Sequence, residues 1–293
     1  DDRTSRGLGD VYKRQAVLYG LMATLDAGDE VLLLSPAWPS YDGMVKITGA
    51  VPIAVPVRKD NYHPNFENLE AAVTSKTKAI VLNSPNNPTG AVYTPDEIER
   101  LVAFAVKHDL WIIDDMIYAT LVWSDHPYTS PCTIPGGAER TITIGGWSKG
   151  WAMTGWRLGW ITGPKHLMDG VKKINVSAAT HVATFMMPAA TVALSLKEET
   201  AAMAASFKER CDLIHGLLSE LPGVVVPKPE GAFYAFCDIT GTGMTDIEFA
   251  EGALKEAKVQ LIPGSLIEGG EGFIRISYAT SPDNIREGVR RLS

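Results

Sequence analysis

The sequence predicts an α/β fold, a mostly parallel sheet covered by helices, followed by a smaller C-terminal α+β domain. Three observations carry that prediction. From residue 31 to residue 144 apolar runs of strand length alternate with helical stretches, and β-α-β order with apolar strands indicates a parallel sheet buried on both faces. After residue 196 the alternation ends in a long helical segment followed by short strands and capped helices. A chain of 293 residues, 45% hydrophobic and 21% charged, is also long enough for two lobes.

Each element has its own warrant. Asp1–Gln15 is polar and charged with no apolar period, so we expect a non-native or disordered segment. A helical run from Ala16 to Leu25 closes at Gly28. Val31–Leu34 is a strand, and Val51–Val57 an edge strand because of Pro52 and Pro56. A helix around Asn65–Val73 precedes the buried-type run Ala79–Asn83. Thr94-Pro95-Asp96-Glu97 supplies an N-cap, a first-turn proline and a capping-box acid for a helix reaching His108. Trp111–Asp114 and Thr141–Ile144 are further buried strands. Beyond the helix Lys197–Leu221 come strands Val224–Val226, Ala232–Cys237, Val259–Ile262 and Phe273–Tyr278, with helices opened by Thr245-Asp246-Ile247-Glu248 and Ser281-Pro282. The boundary falls inside the long helix, giving a large domain of residues 16–200 and a small one of 201–293.

Composition excludes several classes. A net charge of −7 with no Lys/Arg block argues against nucleic acid or an anionic membrane as partner. Cys132, Cys211 and Cys237 have no metal spacing and the six histidines are dispersed, so we expect no metal and a reducing, cytoplasmic setting. There is no signal-peptide layout and no initiator Met, and we read the chain as a fragment of something longer. The stretch between Lys173 and Lys197 carries no fixed charge but is diluted by Asn175, Thr180, His181 and Pro188, so a buried helix or helix pair is expected rather than a membrane span.

In open parallel sheets, ligands bind outside the carboxyl ends of the strands. Four residues stand there: Trp38 in SPAWPSY, Asn87 in NSPNNPTG, Asp115 in IIDDMIY and Lys149 in GGWSKGW. Singly, each has an ordinary reading as a plug, a turn, a helix cap or a solvated lysine. Together they suggest pyridoxal phosphate, which takes a lysine for its Schiff base, a carboxylate on its pyridine nitrogen and a flat face against its ring. Asn87 and Tyr118 suit the phenolic oxygen, and Arg157, in a glycine-rich loop, suits the phosphate.

NSPNNPTG, DDMIY, WSKGWAMTGWRLGW, GAFY and FIRISYATS, in this order, resemble the class I aminotransferases of the fold-type I pyridoxal-phosphate enzymes, and most the branch with bacterial aspartate and broad-specificity enzymes. The resemblance runs from about Gln15 to the C-terminus. It implies that Lys149 is the Schiff-base lysine and proton carrier, Asp115 the partner of the pyridine nitrogen, and Tyr118 and Asn87 the partners of the phenolic oxygen. It also implies that Trp38 stacks on the ring, that Arg157 holds the phosphate, and that Arg275 and Asn87 hold the substrate α-carboxylate, a task for which the guanidinium fork is suited. Asp114 falls one place early and is read as structural.

Two departures stand out. Many relatives carry Ser or Thr three residues before the lysine, where this chain has Gly146, leaving Ser148 as a weaker phosphate donor. The glycine-containing phosphate turn that precedes the first helix is replaced by Lys13-Arg14, so weak cofactor binding is expected. The implied reaction moves an amino group from an amino acid to a 2-oxo acid, in a homodimer, with acidic, aromatic and aliphatic substrates all open. The rivals are a β-eliminating C–S lyase of the same fold and a non-catalytic cofactor-sensing regulator domain. A nicotinamide enzyme is disfavoured because no strand is followed by G-x-G-x-x-G.

Overall fold

Period-2 side-chain alternation in strands that are apolar throughout forces helices onto both faces of a sheet, and the chain obeys this. The computed structural model describes residues 13–293; the expectation for residues 1–15 lies, up to residue 12, outside the described residues. The large lobe contains α1 (Lys13–Thr24), β1 (Glu30–Ser35), α2 (Ser40–Ile47), β2 (Val51–Pro56), α3 (Phe66–Ala72), β3 (Thr77–Leu82), α4 (Pro95–Lys107), β4 (Trp111–Asp115), β5 (Thr141–Gly146), α5 (Trp147–Gly150), β6 (Gly159–Thr162), α6 (Lys165–Ala178) and α7 (Met187–Ala193). The sheet order is β2-β1-β3-β4-β5-β6. All neighbours are parallel except the antiparallel pair β5 and β6. β2 lies at the edge, where its prolines can be tolerated.

The alternation sorts the core. Val31, Leu33, Val81 and Ile113 face Ala16, Val17 and Leu21 of α1, Met44 of α2 and Val171 of α6. Leu32, Leu34, Ile80, Leu82 and Ile112 face Leu69 of α3 and Ile98, Leu101 and Ala105 of α4. The capping box at Thr94 and Glu97 forms as expected, an end contact worth about 1 kcal/mol.

The small lobe consists of α8 (Lys197–Ser219), β7 (Tyr234–Asp238), α9 (Asp246–Gly252), β8 (Ile262–Pro263), β9 (Phe273–Ser277) and α10 (Pro282–Leu292), with an antiparallel sheet ordered β7-β9-β8. Cys211, Ile214 and Leu218 of α8 pack with Ala235, Cys237, Ile274, Ile276, Ile285 and Val289. The lobes share apolar ground: Phe236 of β7 belongs to the cluster beneath α3 and α4, and stacks on Phe273 at 5.0 Å.

Some expectations are corrected. Val224–Val226 forms only an isolated bridge from Val225 to Asp238, and the strand expected over Val259–Ile262 is reduced to Ile262–Pro263. The first helix already includes Lys13, Arg14 and Gln15, ahead of the expected start at Ala16. Asp115 ends β4 instead of following it. The uncharged stretch after Lys173 does form short helices, but they are only partly covered: Ala190 and Ala193 are buried, whereas Phe185 is 81% exposed and Val176 and Val192 are each 59% exposed. Apolar composition alone cannot tell a covered face from an uncovered one. Among the described residues no helix is long and apolar enough to cross a membrane.

Candidate active site

The carboxyl ends of β3, β4 and β5, the first residue of β7 and the middle of β9 converge on a cavity of about 610 Å³. Trp38, Asn87, Tyr118, Ser148, Lys149, Arg157 and Arg275 line it, joined by Lys13, Tyr41, Asn83 and Tyr234. Asp115 lies just behind this lining. It is fully buried, accepts a hydrogen bond from the Tyr41 hydroxyl and is ion-paired with the Lys13 ammonium.

A hydrogen-bond chain ties the two lobes at the cavity. Arg275 Nη1 donates to Asn87 Oδ1 at 2.9 Å, Asn87 N–H donates to Asn83 Oδ1 at 3.0 Å, and Asn83 Nδ2 donates to the Asp115 carbonyl at 3.0 Å. The loop carrying Asn87 is pressed against the segment before β7: a Cβ on Gly90, whose φ is +77°, would stand 2.7 Å from Pro229 Cβ. Only glycine serves that left-handed position at that distance. Behind this junction His63 bridges Glu97 at 2.6 Å and Glu230 at 3.1 Å, and Glu230 also accepts from Val92 N–H at 2.8 Å.

Charges at the site are perturbed for identifiable reasons. Burial lowers the Lys149 ammonium pKa, and the cations of Lys13, Arg275 and Arg157 lower it further. Burial raises the Tyr118 phenol well above its ordinary value, with Tyr234 and Asp115 adding to the rise. Asp114 is pushed up to about 7 by burial, although Tyr128 and Ser130 donate to it at 2.6 and 3.0 Å. It points away from the cavity toward those hydroxyls, in keeping with a structural role.

The donor set fits pyridoxal phosphate. An indole face, a tyrosine and asparagine pair, an amine of lowered pKa, Arg157 and Ser148 line one cavity, with a buried carboxylate just behind it. Arg275 Nε is buried without a hydrogen-bond partner among the described residues, leaving the guanidinium with capacity for a carboxylate. The Lys13 ammonium stands 4.3 Å from the Trp38 ring centroid and is ion-paired with Asp115, the two residues from which contacts to the cofactor's ring are expected. Burial lowers the Lys13 pKa, while Asp115 acts in the opposite direction.

Tyr41, Asn83 and Tyr234 lie inside SPAWPSY, NSPNNPTG and GAFY, yet no role was read for them in the sequence. Tyr41 could have been suspected from its place three residues after Trp38, in the first turn of α2. Tyr234 meets partners remote in sequence, and Asn83 joins the nearby Asn87 N–H to the remote Asp115 carbonyl.

A fold of this topology with a lysine, an aspartate and an arginine around such a cavity defines a pyridoxal-phosphate enzyme of fold type I. Residues 14–292 match the family model of class I and II aminotransferases, and the chain belongs to that family. It is 41% identical over 283 residues to an aspartate aminotransferase of Pyrococcus abyssi, covering 95% of this chain and 72% of the relative. It is 40% identical over 283 residues to an aromatic-amino-acid aminotransferase of Thermococcus litoralis, with 95% and 72% covered. The crystal structure of an aromatic aminotransferase from Pyrococcus horikoshii superposes with a TM-score of 0.94 at 39% identity, covering 100% of this chain and 79% of that one. The protein is an aminotransferase with pyridoxal phosphate as its cofactor, acting on an amino acid and a 2-oxo acid.

Proposed function

We propose that Lys149 is the residue that binds the cofactor covalently and, once released from it, moves the proton during transfer. The observation that carries this reading is a half-buried amine of lowered pKa lining the same cavity as Tyr118, Arg157 and Arg275, with the Asp115 carboxylate buried just behind it. A lowered pKa leaves more of the amine unprotonated at neutral pH, as both a nucleophile and a proton acceptor require. Bound pyridoxal phosphate supplies an electron sink that acidifies the hydrogen on the substrate α-carbon. Asp115, held by Tyr41 and sealed from water, keeps a proton on the ring nitrogen. Trp38 covers one ring face, and Tyr118 and Asn87 donate to the phenolic oxygen. Arg157 and Ser148 hold the phosphate, and Arg275 holds the substrate carboxylate while Asn87 orients its guanidinium.

The lobe of residues 16–200 carries the cofactor and that of 201–293 the carboxylate arginine. A homodimer is the assembly supported by the exposed apolar side chains Phe185, Val192 and Leu194, and sedimentation equilibrium measures it. A reducing cytoplasm is supported by Cys132, Cys211 and Cys237, all free thiols. The decisive experiment for Lys149 mixes the protein with pyridoxal phosphate and follows visible absorbance. Lys149→Ala is expected to lose the lysine-linked band and transfer activity together; a band identical to the parent's ends the assignment.

A further inference from the structure

The GAFY run, Gly231–Tyr234, is left without a role by the reaction as described. Tyr234 opens β7, is buried, and lines the cavity beside Tyr118, Lys149 and Arg275. Its hydroxyl is 3.1 Å from the Tyr118 hydroxyl, and the two rings meet edge to face at 87°. Arg275 sits opposite Phe236 on β9, a diagonal neighbour of Tyr234 on the same sheet face, and its guanidinium carbon lies 4.8 Å from the Tyr234 ring centroid. One side chain thus touches both the tyrosine assigned to the cofactor's phenolic oxygen and the arginine assigned to the substrate carboxylate.

Each hydroxyl has a single proton to give. Either tyrosine could donate to the other on geometry alone. An anionic phenolic oxygen that takes the Tyr118 proton removes one of those options: Tyr118 then accepts, and Tyr234 donates. A donor that is itself hydrogen-bonded at its oxygen is polarised and donates more strongly.

Resting on the reading of Tyr118 given above, we propose that Tyr234 is a positioning residue of the transfer reaction, holding and polarising the Tyr118 hydroxyl toward the cofactor's phenolic oxygen. A stronger donor on that oxygen stabilises its anion and favours loss of the proton from the neighbouring cofactor-bound nitrogen. Removing the Tyr234 hydroxyl therefore raises the pH at which the bound cofactor changes colour. Tyr234→Phe is the suitable variant because it keeps the ring under Arg275.

The test is a visible-absorbance pH titration of the parent, Tyr118→Phe, Tyr234→Phe and the double variant in saturating pyridoxal phosphate, with melting curves to confirm folding. Tyr234→Phe is expected to raise the midpoint by about half a unit to one unit. Tyr118→Phe is expected to raise it further, and the double variant to match Tyr118→Phe alone. A folded Tyr234→Phe with the parent's midpoint, beside a shifted Tyr118→Phe, overturns the inference and leaves the Tyr118 reading standing. So does a full further shift when Tyr234→Phe is added to Tyr118→Phe. An unshifted Tyr118→Phe removes the reading itself, and the inference with it.

Discussion

The two ends of the cavity are built differently. The end around Asp115 is buried and tied by hydrogen bonds: Tyr41 is 1% exposed, Asp115 0%, and the Asn83–Asn87–Arg275 chain crosses between lobes. At the other end the turn from Thr154 to Arg157 is exposed, and Arg157, in left-handed backbone conformation, donates to the Thr154 carbonyl at 2.8 Å. The first end works by low dielectric and fixed partners, where charge is worth most. The second is a solvent-facing cation suited to a phosphate, where screening weakens each contact. Chemistry that depends on a proton held at one atom belongs at the first end, and anchoring of a multiply charged group can be done at the second.

The largest expected break comes from the buried end. Asp115→Asn keeps the shape and removes the charge, so kcat/KM is expected to fall by roughly a thousandfold, within the range for a positioned proton-handling group. Steady-state kinetics measures it, and a loss under tenfold would show that the carboxylate's charge is not what this end supplies.

Lys13 sharpens the comparison, because its ammonium enters the ring end, over Trp38 and onto Asp115. Lys13→Met removes the ammonium from Trp38 and Asp115, and leaves Asp115 the Tyr41 hydrogen bond. Affinity for pyridoxal phosphate is expected to rise about tenfold, the equivalent of about 1.4 kcal/mol. Fluorescence or absorbance titration of the cofactor reads this; equal or weaker binding would mean that Lys13 does not compete for the site.

The smallest effect concerns the clamp behind the ring end. Burial alone would lower the pKa of His63, but hydrogen bonds and attraction from Glu230 and Glu97 outweigh it and raise the pKa to about 9 from 6.5. A group with a raised folded-state pKa gives stability that is complete below its unfolded value and lost as pH rises through the folded one. The melting temperature is therefore expected to fall by a few degrees between pH 7 and pH 10, and His63→Ala is expected to flatten that slope. An unchanged slope in His63→Ala would place the pH dependence elsewhere.

Much of this was legible in the linear chain. Thr94 and Glu97 announce α4, the prolines at 52 and 56 announce an edge, and the residues after each apolar run mark the cavity rim. The misreadings have physical causes. Val224–Val226 has strand composition, but a strand needs a partner, and only Val225 finds one. The uncharged segment around Phe185 was expected to form a buried helix or helix pair, yet burial is a property of what packs against it.

Residue type and local spacing were enough to specify the sheet, the caps and the cavity residues proposed to hold the cofactor, because propensity, capping and strand-end chemistry act over a few neighbouring residues. The Tyr41 bond to Asp115, the Asn83 relay, the Tyr118–Tyr234 pair and the intrusion of Lys13 emerged only once the chain was folded. Each depends on hydrogen-bond geometry accurate to tenths of an ångström between elements far apart in sequence, and such distances are set by packing of the whole molecule rather than by any local pattern.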